Sequence, residues 1–196
     1  MFENQSSILM KTATTATLDT VSKVQIDLSC PTEDKIQIED IAAGLSMICR
    51  FGGQIQRFYS VAQHSLLVAA LAPMDLKREA LLHDAAEAYL GDVIKPLKVL
   101  LGAAYKQIET NFETVIFQKF GCDISRIGEI KKYDLQAYDL EDQALREGDT
   151  GELAYIMNAA GMVLANRVIF YEPTIARMEF LRVFGTLFND RSRMEG

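Results

Sequence analysis

Apolar and polar residues follow each other along most of the chain with the spacing of amphipathic helices. The apolar residues recur three and four positions apart, which places them on one face of a helix. The pattern predicts helices over residues 39–49, about 60–71, about 75–90, about 103–120 and 129–147, an apolar stretch near 152–170, and a last helix that begins at Pro173. Residues 8–28 are rich in Thr, Val and Ile with a polar break near Asp19, and they predict a small hairpin or an extended arm. The sequence therefore predicts an all-α fold with a short N-terminal extended or hairpin arm.

Several residues mark the ends of the predicted helices. Ser60 and Gln63 have the S-x-x-Q spacing of a capping box, which predicts that a helix begins there. Gly91 is placed as the left-handed residue that follows a helix, and Gly121 and Gly148 follow two later helices.

The composition is that of a globular protein with an acidic excess. Of the 196 residues, 49% are apolar and 24% are charged, and 27 acidic against 20 basic residues give a net charge of −7. At about 100–200 residues per domain, we interpret the chain as a single domain. Its parts are an N-terminal arm over residues 1–37, a motif-bearing helical core over 38–148, and C-terminal helices over 149–196.

Charge and cysteine content exclude several classes of protein. The acidic excess argues against a nucleic-acid polymer as partner, because such binding depends on Lys and Arg that neutralise phosphates. No apolar run approaches the roughly 18 residues of a membrane-spanning helix, and the N-terminus lacks the apolar region of a secretion signal. Cys30, Cys49 and Cys122 are far apart, which argues against a disulfide framework or a thiolate zinc site. We therefore expect a cytoplasmic protein that has no membrane partner.

The chain contains two histidines, so imidazole chemistry has few possible locations. His64 and His83 lie on consecutive predicted helices whose short connection favours antiparallel packing, and the two rings can then converge. Asp84 follows His83 in what the pattern predicts to be the middle of a helix, with Glu87 one turn later. Imidazoles and a carboxylate from separate helices suit a divalent transition metal. Candidates for a further ligand occur on the helix over 129–147, namely Asp134, Asp139, Glu141 and Asp142.

The order His, His-Asp, Asp along the chain resembles the HD-domain phosphohydrolase superfamily. The similarity extends over RFGGQIQRFYSVAQHS (50–65), ALLHDAAEAYLGDVIKPLK (80–98) and YDLQAYDLEDQAL (133–145). Within the superfamily these segments resemble the phage-type dATP triphosphohydrolases of the DatZ kind and the bacterial 5′-deoxyribonucleotidases. The resemblance implies an HD-domain helical bundle.

The resemblance also implies a role for each of nine residues. The implied metal ligands are His64, His83, Asp84 and Asp134. Asp134 is preferred to Asp139 because Glu141 follows it at the +7 position of the family pattern. The implied catalytic residues are Glu87 and Asp92, and the implied substrate-binding residues are Arg50 and Lys98 on phosphate and Phe51 beside the sugar or base.

These residues imply a metal-dependent hydrolysis of deoxynucleotides. We expect a dNTP triphosphohydrolase that prefers dATP, with one Zn, Co or Mn ion per site and a second Mg, Mn or Co ion with substrate. The alternatives are a 5′-deoxyribonucleotidase that acts on dNMPs and an HD module that senses a nucleotide without hydrolysing it. The resemblance further implies a homo-oligomer, from dimer to hexamer, and the host cytoplasm if a phage encodes the chain.

Each residue also has a purely structural interpretation. His64 alone is more often a hydrogen-bonded core residue than a ligand, and Arg50 can cap the helix over 39–49. Glu87 can lie on a solvated helix face and Asp92 in a C-terminal turn. The structure is needed to decide whether these residues meet.

Overall fold

The structure, a computed structural model, describes residues 16–162 and 170–189. Over these ranges it is mainly helical, with one small two-stranded sheet, which confirms the predicted all-α fold. The strands and helices follow in the order β1 (Thr17–Asp19), β2 (Gln25–Asp27), α1 (Ile38–Met47), α2 (Val61–Leu71), α3 (Lys77–Leu82), α4 (Glu87–Leu90), α5 (Lys95–Phe120), α6 (Ile127–Asp142), α7 (Gly151–Ala159) and α8 (Pro173–Asn189). Within the described ranges, no helix combines the length and apolar character needed to cross a bilayer.

The N-terminal hairpin is formed by β1 and β2. The strands are antiparallel, with Leu18 opposite Ile26, and Ile26 is fully buried in the core. The connecting turn is tied to α1, because the backbone N–H and the hydroxyl of Ser22 donate hydrogen bonds to Asp40 at 2.8 and 2.5 Å. This confirms the predicted hairpin, although residues 8–15 of the predicted segment lie outside the described part of the chain.

Helix α2 lies at the centre of the packing. The Ser60 hydroxyl accepts a hydrogen bond from the Gln63 backbone N–H at 3.2 Å, so the helix begins at its predicted cap. Every residue from Val61 to Ala69 is buried, and α2 packs against α1, α3, α6, α7 and α8. A polar side chain on α2 is therefore inside the protein, where it needs a partner or a ligand.

The helix predicted over residues about 75–90 is interrupted at His83 and Asp84. Helix α3 ends at Leu82 and α4 begins at Glu87. Between them the N–H of Ala85 donates to the carbonyl of Leu82 at 3.0 Å, and that of Glu87 donates to the carbonyl of Asp84 at 2.9 Å. This three-residue spacing is tighter than that of an α-helix. The prediction that His83 and Asp84 lie in the middle of a helix is therefore wrong.

A side-chain hydrogen bond accounts for the interruption. The ring Nδ1 of His83 lies 2.8 Å from the carbonyl oxygen of Ala80. In a regular α-helix that carbonyl accepts from the backbone N–H of Asp84, so the ring competes with the helical hydrogen bond. Residues 80–90 contain neither Gly nor Pro, and the local sequence gives no sign of the break.

Two later helices are also less regular than predicted. Helix α5 starts at Lys95, earlier than the predicted 103, and bends at Gly102, whose φ of 67° and ψ of −148° are not helical. Helix α6 runs over Ile127–Asp142 and continues as a π-helical turn that ends at the left-handed Gly148. Helix α8 begins at Pro173, as predicted.

Close packing of α1 on α4 gives a stability prediction at Gly44. A Cβ atom on Gly44 would lie 2.7 Å from the carbonyl oxygen of Ala88, which is backbone and cannot swing away. We expect Gly44→Ala to lower the free energy of unfolding by about 1–3 kcal/mol, as overpacked cores do. The matched control is Gly128→Ala on α6, where a Cβ meets nothing within 4 Å. Urea unfolding should show the control unchanged or more stable; equal stability of both variants would contradict the prediction.

Candidate metal centre

The two histidines meet between α2 and the α3–α4 turn. Their ring centroids are 5.2 Å apart. His64 Nδ1 lies 2.7 Å from Oε1 of Glu141, and His83 Nδ1 lies 2.8 Å from the carbonyl oxygen of Ala80. A carboxylate and a carbonyl only accept, so both Nδ1 atoms donate and, in the neutral rings, both Nε2 atoms carry a lone pair.

Both lone pairs face two aspartates. His64 Nε2 lies 3.4 Å from Asp84 Oδ2 and 3.3 Å from Asp134 Oδ1. His83 Nε2 lies 3.2 Å from the same Asp84 oxygen. Both Nε2 atoms are buried and have no hydrogen-bond partner in the structure. Ligand atoms of His64, His83 and Asp134 lie within 4.8 Å of one another, so this group could hold a metal ion.

The donor set fits a divalent transition metal. Two neutral imidazole nitrogens with carboxylate oxygens are ligands that Zn, Mn or Co accept. Ligand atoms about 2.1 Å from a tetrahedral ion are roughly 3.4 Å apart, which is close to the separations found here. Two buried and unsatisfied Nε2 atoms would otherwise be costly, because each buried acceptor without a partner loses its hydration. A cation shared by these atoms could satisfy both nitrogens.

The pKa shifts of Asp84, Asp134 and His64 all favour negative carboxylates beside a positive charge. Burial acts to raise the pKa of Asp84, but His83, His64 and Arg50 together hold it far below its usual range. The pKa of Asp134 is likewise lowered against the effect of burial, chiefly by His64. Burial and Arg50 act to lower the pKa of His64, yet Glu141 and Asp134 outweigh them and raise it to about 9. Protons and metal therefore compete for the same nitrogen.

Glu141, one of the four acidic candidates on the helix over 129–147, contacts His64. It is fully buried on α6, two turns after Asp134 and on the same face. Besides its contact with His64, its Oε2 lies 3.0 Å from Arg50 Nε. A carboxylate on the far nitrogen of a ligating histidine fixes the tautomer and the orientation of the ring. The +7 spacing from Asp134 was the signal, and the sequence analysis used it only to choose between aspartates.

Arg50 is anchored beside the start of α2. Its backbone N–H donates to the carbonyl of Tyr59 at 2.9 Å, within a short antiparallel bridge. Arg50 is 9% exposed, and its Nη1 lies 3.8 Å from Asp84 Oδ2. Burial opposes its charge, but Glu141 and Asp84 raise its pKa above the usual value, so the guanidinium stays charged. The structure thus places Arg50 between the buried Glu141 and the metal-site carboxylate.

Phe51 is held against α6. Its φ of 58° is left-handed, which is strained for a residue with a side chain. Its ring centroid lies 5.5 Å from that of Tyr138, and the guanidinium groups of Arg50 and Arg146 lie 5.4 and 5.3 Å from it. Tyr138 is one turn beyond Asp134, so this aromatic surface adjoins the candidate metal centre. Tyr138 and Arg146 were not predicted.

Glu87, Asp92 and Lys98 form a charged group on the α4 side. Glu87 is 7% exposed, and burial together with Asp84 and Asp92 raises its pKa well above the usual value. Lys98 donates a hydrogen bond from Nζ to Glu87 Oε1 at 3.4 Å. The pKa of Asp92 is raised by burial and by Asp84, although Arg50 opposes the rise. The raised pKa of Glu87 favours its protonated form relative to an exposed glutamate.

The structure brings the sequence-predicted residues to one region. The four proposed metal ligands meet directly, Arg50 contacts Asp84, and Lys98 contacts Glu87. Asp139, the alternative to Asp134, is exposed on α6. Lys131 forms an ion pair with the outer oxygen of Asp134 at 2.6 Å, which leaves Oδ1 toward His64. The chemical roles of these residues stay predictions.

Comparison with known proteins gives relatives without an assigned activity. No protein-family model matches the chain. Over 118 residues the chain is 44% identical to YfdR, an uncharacterized protein of Escherichia coli. The aligned region covers 59% of this chain and 66% of YfdR. Over 106 residues it is 40% identical to the uncharacterized protein RCAP_rcc00048 of Rhodobacter capsulatus, which covers 50% of this chain and 54% of that protein. The chain spans less than two thirds of the length of either relative.

Proposed function

We propose that this protein is a metal-dependent phosphohydrolase of the HD-domain type that acts on deoxynucleotides. The observation that carries the proposal is the arrangement of the two histidines. Both Nδ1 atoms are occupied, and both buried Nε2 atoms lie within 3.4 Å of an aspartate oxygen, with the buried Glu141 on the far nitrogen of His64. The residues that would hold the ion are His64, His83, Asp84 and Asp134.

The ion is proposed to be Zn, Co or Mn, with a second Mg, Mn or Co ion arriving with substrate. When bound, a divalent ion supplies Lewis acidity, which polarises a phosphoryl oxygen and lowers the pKa of water from 15.7 toward about 7. The rest of the chemistry falls to the side chains around the centre.

Two cations explain how a chain of net charge −7 can bind a phosphate. Arg50 offers a planar fork, and Lys98 offers a compact ammonium. Neither cation is free in the structure, because Arg50 contacts Glu141 and Lys98 contacts Glu87. Those carboxylates keep the cations in place before substrate arrives. Phe51, with Tyr138, offers an aromatic surface for the sugar or the base.

Glu87 is the proposed proton-transfer residue. It takes a proton from the attacking water and returns it to the leaving oxygen, a role that suits a carboxyl whose pKa is raised by burial. Asp92 adds negative charge that keeps this pKa high. The reaction forms a bond from the water oxygen to phosphorus and breaks the bond from phosphorus to the ester oxygen.

The substrate is proposed to be a deoxynucleoside triphosphate, with dATP preferred. Attack on the α-phosphorus then releases deoxyadenosine and triphosphate. This part of the proposal is supported by the YSVAQHS and HDAAEAYLGD segments, which resemble phage-type triphosphohydrolases more than monophosphatases. We also propose that the protein acts on small molecules as a cytoplasmic homo-oligomer.

The test is a product assay on metal-loaded protein with matched variants. The parent, incubated with dATP or dAMP, should release triphosphate from dATP, and a chelator should abolish the reaction. Asp134→Asn should lose metal by elemental analysis and at least about 100-fold in kcat/KM, whereas the exposed Asp139→Asn should behave as the parent. Orthophosphate from dAMP with dATP untouched would overturn the triphosphate assignment and favour a nucleotidase. Bound metal without turnover of either nucleotide would overturn the enzyme and favour the sensor.

A further inference from the structure

Glu109 is a buried carboxylate whose partner is Lys98. Glu109 is 9% exposed on α5, and its Oε1 accepts a hydrogen bond from Lys98 Nζ at 2.7 Å. The same Nζ lies 3.4 Å from Glu87 Oε1. Lys98 therefore lies between two glutamates, with the shorter contact to Glu109.

The bend at Gly102 makes this contact possible. Lys98 and Glu109 are eleven positions apart, and in a straight helix the rise between such positions is about 16 Å. Gly102 has a φ of 67° and a ψ of −148°, a conformation that is open to glycine and strained for other residues. The first part of α5, residues 95–101, can therefore turn so that Lys98 reaches Glu109.

Residues 95–101 are exposed or half-buried, so their apolar side chains bury little surface. Val99 and Leu100 are 74% and 83% exposed, so burial of apolar surface contributes little to the position of this segment. A polar contact to a buried group is then the main way to fix the Lys98 ammonium beside the site.

We propose that Glu109 is a positioning residue that holds Lys98 beside Glu87, so that the ammonium is available to a substrate phosphate instead of pairing fully with Glu87. The proposal rests on the proposed function. Without the Glu109 charge, the nearest remaining carboxylate is Glu87, which draws the ammonium toward itself and away from the phosphate. The consequence is weaker substrate binding with the metal centre unaltered.

A double-mutant cycle tests this coupling. Glu109→Gln keeps the shape of the side chain and should lower kcat/KM for dATP about tenfold, mainly through KM. Lys98→Met should lower it about 100-fold, and adding Glu109→Gln to Lys98→Met should change it by less than about twofold. The matched control is Lys106→Met, which removes the other cation on Glu109, at 3.3 Å, and should equal the parent. If the losses of kcat/KM in the two single variants multiply in the double variant, the two residues act independently and the proposal is overturned. A Glu109→Gln variant equal to the parent would overturn it as well.

Hydrogen exchange gives a second measurement that does not depend on turnover. Amides of residues 95–101 should exchange faster in Glu109→Gln than in the parent, while those of α2 stay unchanged. Unchanged exchange over 95–101 would overturn the role of Glu109. If the parent hydrolyses neither nucleotide but exchange responds as expected, the proposed function fails and the contact still positions Lys98.

Discussion

Glu87→Gln should retain its metal and hydrolyse dATP about 10²–10⁴-fold more slowly than the parent, as expected when a general acid–base group is removed. Gln has nearly the same shape but cannot exchange a proton. Glu87 lies one turn beyond Asp84 and is not among the residues whose ligand atoms converge, so metal content should not change. Elemental analysis and single-turnover rates on one preparation give both quantities.

The same variant carries a stability prediction with a definite sign. The pKa of Glu87 is raised in the folded protein by burial and by neighbouring aspartates. A raised pKa means that ionising the group costs folding free energy, so stability is lost as pH rises through the folded value. Gln does not ionise. Glu87→Gln should therefore gain in thermal stability relative to the parent as the pH rises above 4.5, the ordinary pKa of a glutamate.

The exposed Glu152→Gln at the start of α7 is the matched control for this charge change. It should keep parental turnover and show no pH-dependent gain in stability. If Glu87→Gln retains turnover within about tenfold, Glu87 is not the proton-transfer residue. If it loses metal, Glu87 belongs to the metal centre and the assignment of ligands must change.

The start of a helix could be predicted from the sequence where one residue at that start determines it. Ser60 begins α2 through its own hydroxyl, and Pro173 begins α8. The interruption between α3 and α4 and the bend in α5 could not be predicted, because each is linked to a contact that is made only in the folded chain. The α3–α4 interruption depends on the ring of His83, and the bend in α5 brings Lys98 to Glu109.

The candidate site divides in the same way. The two histidines could be selected because the sequence has no others, whereas Asp84 and Asp134 were selected through the resemblance to the HD-domain phosphohydrolases. Their supporting partners could not, since Glu141 is 77 positions from His64 in the sequence. Glutamates are common in this chain, and only burial separates the supporting ones from those on the surface.

Glu141→Ala should destabilise the protein by about 3–5 kcal/mol, the cost of breaking a buried ion pair by removing one partner. Glu141 is fully buried and contacts both His64 Nδ1 and Arg50 Nε. Without it, Arg50 is left as a buried charge, and His64 is free to change tautomer. Metal affinity should also fall about 10–100-fold, as it does when the partner of a ligating histidine is lost. Urea unfolding and metal titration measure the two effects.

Two further variants separate the loss of stability from the loss of metal affinity. Asp142 pairs with Arg146 at 2.6 Å near the surface, and Asp142→Ala should cost no more than about 1 kcal/mol. Arg50→Met combined with Glu141→Ala removes the buried charge that has lost its 3.0 Å partner, so it should recover part of the stability but none of the metal affinity. If the double variant is as unstable as Glu141→Ala, charge burial is not the cause. If it recovers metal affinity, Glu141 acts through Arg50 and does not orient His64.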